Sequence, residues 1–440
     1  MIARVALLAV LCAVAAGASP AGAAPARANV LRASRDFTDP LVAQEWWRPD
    51  VRVDTLTPPG PGMPVTIVDS GVEFSHPEFV GRPDFTPLNT QEPAPIGGVH
   101  GTAVASVIGA PANGVGLVGI YPTAVMRSFD ASLGDGTQLP PSDIAEGIRA
   151  AAEAGRSVIN LSLGSTSPNG LIDGAIEEAV RLGSLVVAAS GNSGEEGSPP
   201  SYPAVDPHVF TVGATDEADQ PAPFSSRSQS VDIAAPGVDI PVATALDMSW
   251  APEDGTSFSS PLVAGAAAWL WTVRPDLDAS QVAEILRESA RDVGPPGYDT
   301  ATGYGILDMA AALAAPTPLP DSIEPNDAVT TAATLTTRAR TTGGTSGRVA
   351  LFEDPRDVFR VWLPGKKRVT VSAASAPGAT LALFTTTLAP ANRLAVSTGT
   401  AAKTTLTFTN KNKVGRSAFL VVTPGRGVRS STYTASVSVR

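Results

Sequence analysis

The chain is poor in cysteine and histidine, with one and three respectively among 440 residues. The single cysteine, Cys12, lies inside the apolar run from Val5 to Ala16. Once that segment is removed no thiol remains, so disulfides contribute nothing to stability. No Cys/His cluster has the spacing of a zinc site. Aromatic residues make up only 5%, and no aromatic-basic motif appears, so no nucleic-acid partner is expected. Beyond the N-terminus no apolar run approaches the length of about 18 residues that would suggest a membrane span. Basic residues are scarce over most of the chain. Residues 1–329 hold 15 of the 31 Lys/Arg and 39 of the 42 Asp/Glu, whereas residues 330–440 hold 16 and 3. The net charge of −11 therefore divides into −24 and +13.

What is present begins with a leader. Met1-Ile2-Ala3-Arg4 is a short positive start, Val5–Ala16 is too short to span a bilayer comfortably, and Ala21-Gly22-Ala23 offers a small-x-small cleavage site. This pattern predicts a secretory signal peptide over residues 1–23 and an extracellular protein. Val10-Leu11-Cys12 lacks the small residue expected before a lipidated cysteine. The length suggests two domains, and 43% hydrophobic residues exclude a mostly disordered chain. From Val65 to about Ala315 apolar strands alternate with helical segments. Strands are expected at 65–68, 157–163, 185–189, 209–212 and 231–234. Helices are expected at 100–109, 142–154, 171–182, 257–270 and 280–291. That alternation argues for an α/β fold with a parallel sheet covered on both faces. Ala315-Pro316-Thr317-Pro318-Leu319-Pro320 reads as a linker. After it, Thr, Ser, Val and Gly dominate and short alternating runs such as Val358-Phe359-Arg360-Val361-Trp362 predict a small all-β sandwich. The expected organisation is a leader (1–23), an N-terminal arm (24–40), an α/β domain (41–315), a linker (316–328) and a sandwich (329–440).

Three short strings supply an acid, a base and a nucleophile. Asp69-Ser70-Gly71 ends the apolar run Val65-Thr66-Ile67-Val68. His100-Gly101-Thr102 opens a small, apolar helical stretch. Gly255-Thr256-Ser257 precedes a long apolar helix with a proline, Pro261, near its start. A serine hydroxyl is a poor nucleophile unless a base lies within hydrogen-bond reach and a third group fixes the base's tautomer. The order Asp, His, Ser is one of the known solutions to that problem. Ser257 at a helix N-terminus would also meet free amides that favour negative charge. The bland alternatives are a helix cap for Ser257, a strand-end turn for Asp69 and a Gly-Asn-Ser-Gly turn for Asn192. His76 and His208 lie beside prolines and read as structural, with no partner suggested. Glu195 and Glu196 read as solvated loop charge.

The three strings, in order and with their extensions, resemble the subtilases, the subtilisin-like serine peptidases of family S8. The likeness runs from about Asp39 to Ala315. Ser75-His76-Pro77-Glu78-Phe79, Val158-Ile159-Asn160-Leu161-Ser162-Leu163-Gly164, Val186-Val187-Ala188-Ala189-Ser190-Gly191-Asn192 and Asp232-Ile233-Ala234-Ala235-Pro236-Gly237 each match a recurrent element of that family. The resemblance implies a subtilisin-like three-layer fold and a secreted endopeptidase acting on polypeptides, expected as a monomer. It implies Asp69, His100 and Ser257 as the catalytic groups and Asn192 as oxyanion donor. It implies Ser162, Leu163, Gly164, Ala189, Ser190 and Gly191 as the lining of the substrate cleft. No cofactor is required for the chemistry. A structural calcium ion is implied at Glu78, nine residues after Asp69, and Asn113 in the loop Pro111–Leu117. The alternative there is a plain Gly/Asn turn with Glu78 in a surface pair. Two positions depart from the family pattern: Phe258 stands where Met is frequent after the nucleophile, and Ala103 where a second His often follows His-Gly-Thr. Only residues 24–38 separate the expected cleavage from Asp39, too few for the separate folding domain many members carry. The arm with Asp39-Pro40-Leu41-Val42 and Gln44-Glu45-Trp46-Trp47 resembles the segment that packs on the catalytic domain.

Glu324-Pro325-Asn326-Asp327, Asp354 and Asp357-Val358-Phe359 resemble the bacterial pre-peptidase C-terminal domain. The basic sandwich could dock on the acidic domain, contact an anionic cell wall or matrix, or be a solvated surface. A catalytically latent protein on the same fold, binding polypeptide or cell surface through that module, is the competing reading. The intact set of four catalytic groups argues against it. Ester hydrolysis or peptide ligation at the same nucleophile is a third.

Overall fold

Val65–Asp69 (β1) is the centre of the first domain, and all five residues are buried. A strand that is apolar on both faces needs cover on both. In the computed structural model, which describes residues 37–90, 99–133, 138–319, 326–335, 343–350, 354–376, 378–397, 402–426 and 429–440, that cover is two helical layers. The other strands are β2 (Phe85–Pro87), β3 (Met126–Asp130), β4 (Val158–Leu161), β5 (Leu185–Ala189), β6 (Val209–Thr215) and β7 (Val231–Pro236). They form one parallel sheet in the order β2-β3-β1-β4-β5-β6-β7. The expected leader, residues 24–36 of the arm and residues 320–325 of the linker region lie outside the described residues.

Strand alternation splits the core. Val65, Ile67, Val158, Leu185 and Val187 pack with the helices α2 (Val99–Gly109) and α5 (Thr256–Val273). Val68, Ile159, Leu161, Val186 and Ala188 pack with α3 (Pro141–Glu153) and α4 (Gly170–Arg181). The short helix α1 (Trp47–Asp50), α6 (Ala279–Ser289) and α7 (Met309–Ala314) contribute to the first layer. Asp278 and Gln281 form the capping box that starts α6. The strand expected over 157–163 ends at Leu161, because Ser162-Leu163-Gly164 leaves the ladder for the cleft. Periodicity missed β3 and the antiparallel hairpin β8 (Ile240–Thr244) and β9 (Ser249–Glu253). Both carry polar residues at positions where a buried strand would be apolar.

The C-terminal residues form the expected sandwich. Its strands are β10 (Ala333–Thr334), β11 (Gly343–Ala350), β12 (Asp357–Leu363), β13 (Arg368–Ala376), β14 (Ala379–Phe384), β15 (Arg393–Ser397), β16 (Lys403–Thr409), β17 (Arg416–Pro424) and β18 (Ser430–Val439). One sheet runs β10-β12-β17-β14-β15 and the other β11-β18-β13-β16. Phe359, Leu381 and Leu420 from the first meet Val371, Leu406 and Tyr433 from the second in one core.

Opposite charges meet where the two domains touch. Arg348 on β11 pairs with Glu284 on α6 at 2.6 Å. The Arg429 guanidinium lies 3.1 Å from the Tyr298 ring centroid and donates to the Tyr304 hydroxyl at 3.2 Å. His208 is not without partners: Nδ1 pairs with Asp206 at 3.2 Å and Nε2 with Asp327 at 3.3 Å. Burial opposes the imidazolium, but bonds and charges of these two aspartates outweigh it and raise its pKa to about 10. A raised histidine contributes stability that is complete below about pH 6.5, its ordinary value, and is lost as pH rises towards 10. Thermal melts should therefore show native protein losing stability relative to His208→Gln across that window. Parallel pH profiles for the two proteins would remove the charge clamp from the account.

Candidate functional site

Each of the three motif strings is explained by how its residues meet at the carboxyl edge of the sheet. Asp69 ends β1 with its side chain only 3% exposed. Its Oδ1 accepts from the Ser70 amide at 2.7 Å and from His100 Nδ1 at 2.9 Å, with Oδ2 at 3.1 Å from the same nitrogen. Gly101 follows because a Cβ there would lie 2.1 Å from the Gly71 carbonyl oxygen. Thr102 follows because its hydroxyl accepts from the Glu73 amide at 2.8 Å. The His100 side chain is 24% exposed. Burial works against its charged form, but the Asp69 charge and hydrogen bond, with the charge of Glu253, raise its pKa above the ordinary value.

Ser257 is the second residue of α5, and Pro261 one turn later has no amide hydrogen for the Ser257 carbonyl. Ser162 Oγ donates to that carbonyl at 2.8 Å instead. Asn160 Nδ2 in turn donates to Ser162 Oγ at 3.0 Å, and Ser260 Oγ to Asn160 Oδ1 at 2.8 Å. The end of β4 is thus fastened to the first turn of α5. The hydroxyl of Ser257 rests 3.5 Å from the Ser162 carbonyl oxygen, rather than in a hydrogen bond to His100.

Asn192 follows β5. Its Oδ1 accepts from the Thr256 amide at 3.0 Å and the Thr256 hydroxyl at 2.8 Å. Those two donors fix which way the amide faces and leave Nδ2 as the free end. A Cβ on Gly255 (φ 156°) would lie 3.4 Å from Asn192 Nδ2 and 3.6 Å from the Ser257 amide nitrogen. Two N–H donors therefore border one small space that glycine keeps open.

Asp69, His100, Asn192 and Ser257 line a cleft of about 440 Å³ together with Ser162, Leu163, Gly164, Ala189 and Gly191. Ser190 is the exception among the expected residues. It is 3% exposed and absent from the lining, and its amide extends the ladder to Val212. Glu196, expected as plain loop charge, borders the cleft, as do Glu253 and Phe258. Glu253 escaped the sequence reading because it lies on the unpredicted hairpin.

Around Glu78 the expected Gly/Asn turn is present, with Gly114 at φ 82° and Gly116 at φ 59°, but the expected surface pair is not. Glu78 is 1% exposed, so it forms no surface pair. Its Oε2 accepts from Trp250 Nε1 at 2.7 Å and the Leu117 amide at 3.3 Å. Burial, with the charges of Asp39 and Glu45, pushes its pKa up to about 8 against those two bonds. Asn113 is exposed and uses Oδ1 to accept from the Val115 amide at 2.9 Å. His76, read as partnerless, accepts at Nδ1 from the Glu78 amide at 3.1 Å and has Nε2 3.0 Å from the Ser249 carbonyl oxygen.

Comparison with known proteins bears on the family. The Subtilase family profile of peptidase S8 matches residues 60–305. The chain belongs to the subtilase family. This subtilase is 35% identical over 259 residues to a subtilisin from Bacillus pumilus, covering 58% of its own chain and 91% of the relative. It is 37% identical over 257 residues to subtilisin BL from Lederbergia lenta, with the same coverages of 58% and 91%. In fold it is similar to a psychrophilic subtilisin-like protease from Pseudoalteromonas sp. AS-11, with TM-score 0.55 and 20% identity over 61% of this chain and 97% of the other. Fervidolysin from Fervidobacterium pennivorans aligns with 84% of this chain and 55% of its own, with TM-score 0.57 and 22% identity. This subtilase is a serine-type endopeptidase.

The raised imidazole has a direct check. NMR titration should place the His100 pKa above 6.5, and Asp69→Asn should lower it. A value at or below 6.5 in the native protein would mean that burial, not the carboxylate, sets the charge of this ring.

Proposed function

We propose that this subtilase is a secreted endopeptidase that cleaves peptide bonds through Asp69, His100 and Ser257 and an acyl-enzyme intermediate. His100 takes the Ser257 proton as the oxygen attacks the substrate carbonyl. Asp69, bonded to Nδ1, holds the tautomer that leaves Nε2 free to accept and stabilises the imidazolium that forms. Asn192 Nδ2 and the Ser257 amide receive the oxyanion; one such donor is worth roughly 10² to 10³ in turnover. His100 then protonates the departing amine, and water releases the acyl group by the reverse sequence. Ser162-Leu163-Gly164, Ala189 and Gly191 hold substrate backbone, while Ser190 keeps its amide in the sheet ladder behind them. The observation that carries this reading is the Asn192 amide, held by Thr256 so that its N–H end shares a glycine-lined space with the Ser257 amide. The leader supports secretion. The 16 Lys/Arg of residues 330–440 support contact between a pre-peptidase-like module and an anionic wall or matrix, with the protein acting as a monomer.

A serine-directed fluorophosphonate should add once to the purified protein, seen as intact mass, and not to Ser257→Ala. Folded native protein that takes no adduct would favour the latent, polypeptide-binding alternative.

We also propose a structural calcium ion beside Glu78. Asp39 accepts the Asn113 and Gly114 amides at Oδ1, both at 2.9 Å. Asp39 Oδ2 and Glu78 Oε1 are both buried without a hydrogen-bond partner among the described residues. Oxygen donors of this kind suit a hard cation. Glu78, Asp39 and the Asn113 loop would hold the ion, which would neutralise buried carboxylates and stabilise the fold. Calcium added at about 100 times its Kd to chelator-treated protein should stabilise it by about 2.7 kcal/mol. A melting temperature that ignores calcium, or responds equally in Glu78→Gln, would remove the site.

A further inference from the structure

Ser257 divides the cleft into two sides. The amine that leaves collects its proton from His100, so the residue following the scissile bond lies on the His100 side. Phe258 and Glu253 build that side. The Phe258 ring centroid is 6.1 Å from that of His100. Glu253, the last residue of β9, borders the same cleft, and its charge reaches His100.

The backbone around Glu253 is fixed while its carboxylate is not engaged. Asp254 Oδ1 accepts from the Asp239 amide at 2.7 Å, and the Gly255 amide donates to the Gly237 carbonyl at 2.8 Å. Ladder pairing to Ile240 holds Glu253 itself. Yet among the described residues the half-buried Glu253 side chain makes no hydrogen bond or ion pair. A carboxylate positioned by rigid backbone, left unpaired and facing a substrate cleft is a recognition element without its partner. The rest of the lining points the same way. Among the described residues Asp69, Asp173, Glu196, Glu253 and Asp254 border the cleft, and no Lys or Arg does.

The neighbouring ring specifies the shape of the partner. Lys and Arg bury an aliphatic stem along apolar surface and keep the charged head in a polar place. Phe258, only 5% exposed, lends the stem a strip of apolar surface at the cleft border, and Glu253 supplies the counter-charge. We propose that Glu253 selects Lys or Arg immediately after the scissile bond, which makes cationic polypeptide segments the preferred substrates. The selection rests on the peptidase reading of Asp69, His100 and Ser257.

The test uses two internally quenched peptides that differ only in the residue after the scissile bond, Lys in one and Glu in the other. Fluorophosphonate titration counts active enzyme in every sample. Native enzyme at low salt should favour the Lys peptide by about tenfold in kcat/KM, equivalent to about 1.4 kcal/mol. Salt at about 1 M should compress that ratio, since the Debye length falls to about 3 Å. Glu253→Gln should bring the ratio to within about twofold of unity, and Glu253→Lys should invert it, both following from the sign of one half-buried charge. A native ratio near one, or a preference that persists in Glu253→Gln, overturns the assignment. The native salt response stands even if a variant fails to fold, and a salt-independent preference counts against Glu253. An enzyme that takes the fluorophosphonate but shows no preference sinks this inference alone. One that takes no adduct and cuts neither peptide sinks the peptidase reading with it.

Discussion

Pro261 leaves the Ser257 carbonyl without its helical donor, and Ser162 supplies one. The rest of the site depends on that bond. It fastens the end of a sheet strand to the first turn of α5, so Ser257 and the cleft wall move as one body. Ser162 can serve only because Asn160 Nδ2 occupies one of its lone pairs, and Asn160 in turn is held by Ser260 of the same helix. Buried polar groups such as these cost free energy unless every member finds a partner, and here each does. Thr256 adds a second tie, holding Asn192 by its oxygen. A helix kept in register by two strand ends can present one hydroxyl with little freedom, and positional accuracy of that kind accounts for much of what a catalytic site contributes.

The architecture was legible in the sequence where burial imposes a pattern. Strands covered on both faces read as short apolar runs, and Leu185–Ala189 was bounded correctly because nothing polar interrupts it. The sandwich strands showed period-two alternation, as at Asp357–Leu363. Illegible were the strands with other duties. Met126-Arg127-Ser128-Phe129-Asp130 carries polar residues through the sheet, and Ser249-Trp250-Ala251-Pro252-Glu253 pairs only with its hairpin partner, half exposed. The motif strings hold Asp69, His100, Asn192 and Ser257, which the fold brings to one cleft, and Gly101 is required there by the close approach of the Gly71 carbonyl. Glu253 left no such mark. A lone carboxylate becomes meaningful only when the fold places it beside a histidine from a segment more than a hundred residues away.

Charge follows a similar division between local and assembled information. The excess of basic residues after residue 330 is visible in composition, but not its use. In the folded chain some of those residues meet the acidic domain: Arg348 reaches Glu284, while Arg429 stacks on Tyr298. The negative surplus left on the first domain is carried partly into the cleft, whose border holds five carboxylates among the described residues. Fields of one sign in a concave site concentrate counter-charged ligands. The distribution of charge between the two domains and the composition of the cleft are therefore parts of one electrostatic arrangement.

Without disulfides, the N-terminal arm has to be held by hydrogen bonds, and those bonds lead back towards Ser257. Glu45 accepts the Val118 amide at 2.6 Å, and Arg48 donates to the Val118 carbonyl at 2.9 Å. Trp46 Nε1 donates to the Val238 carbonyl at 3.1 Å, one residue from the Gly237 carbonyl that receives the Gly255 amide. On the other flank Trp250, on the strand that ends in Glu253, donates to Glu78 beneath the Asn113 loop, which Asp39 clasps. The same hairpin is thus braced at both ends by contacts that originate in residues 39–48. Loosening the arm would free Gly237–Gly255 on one side and Glu78–Trp250 on the other, so the cleft wall beside Ser257 inherits its rigidity from a segment that lies outside the central sheet.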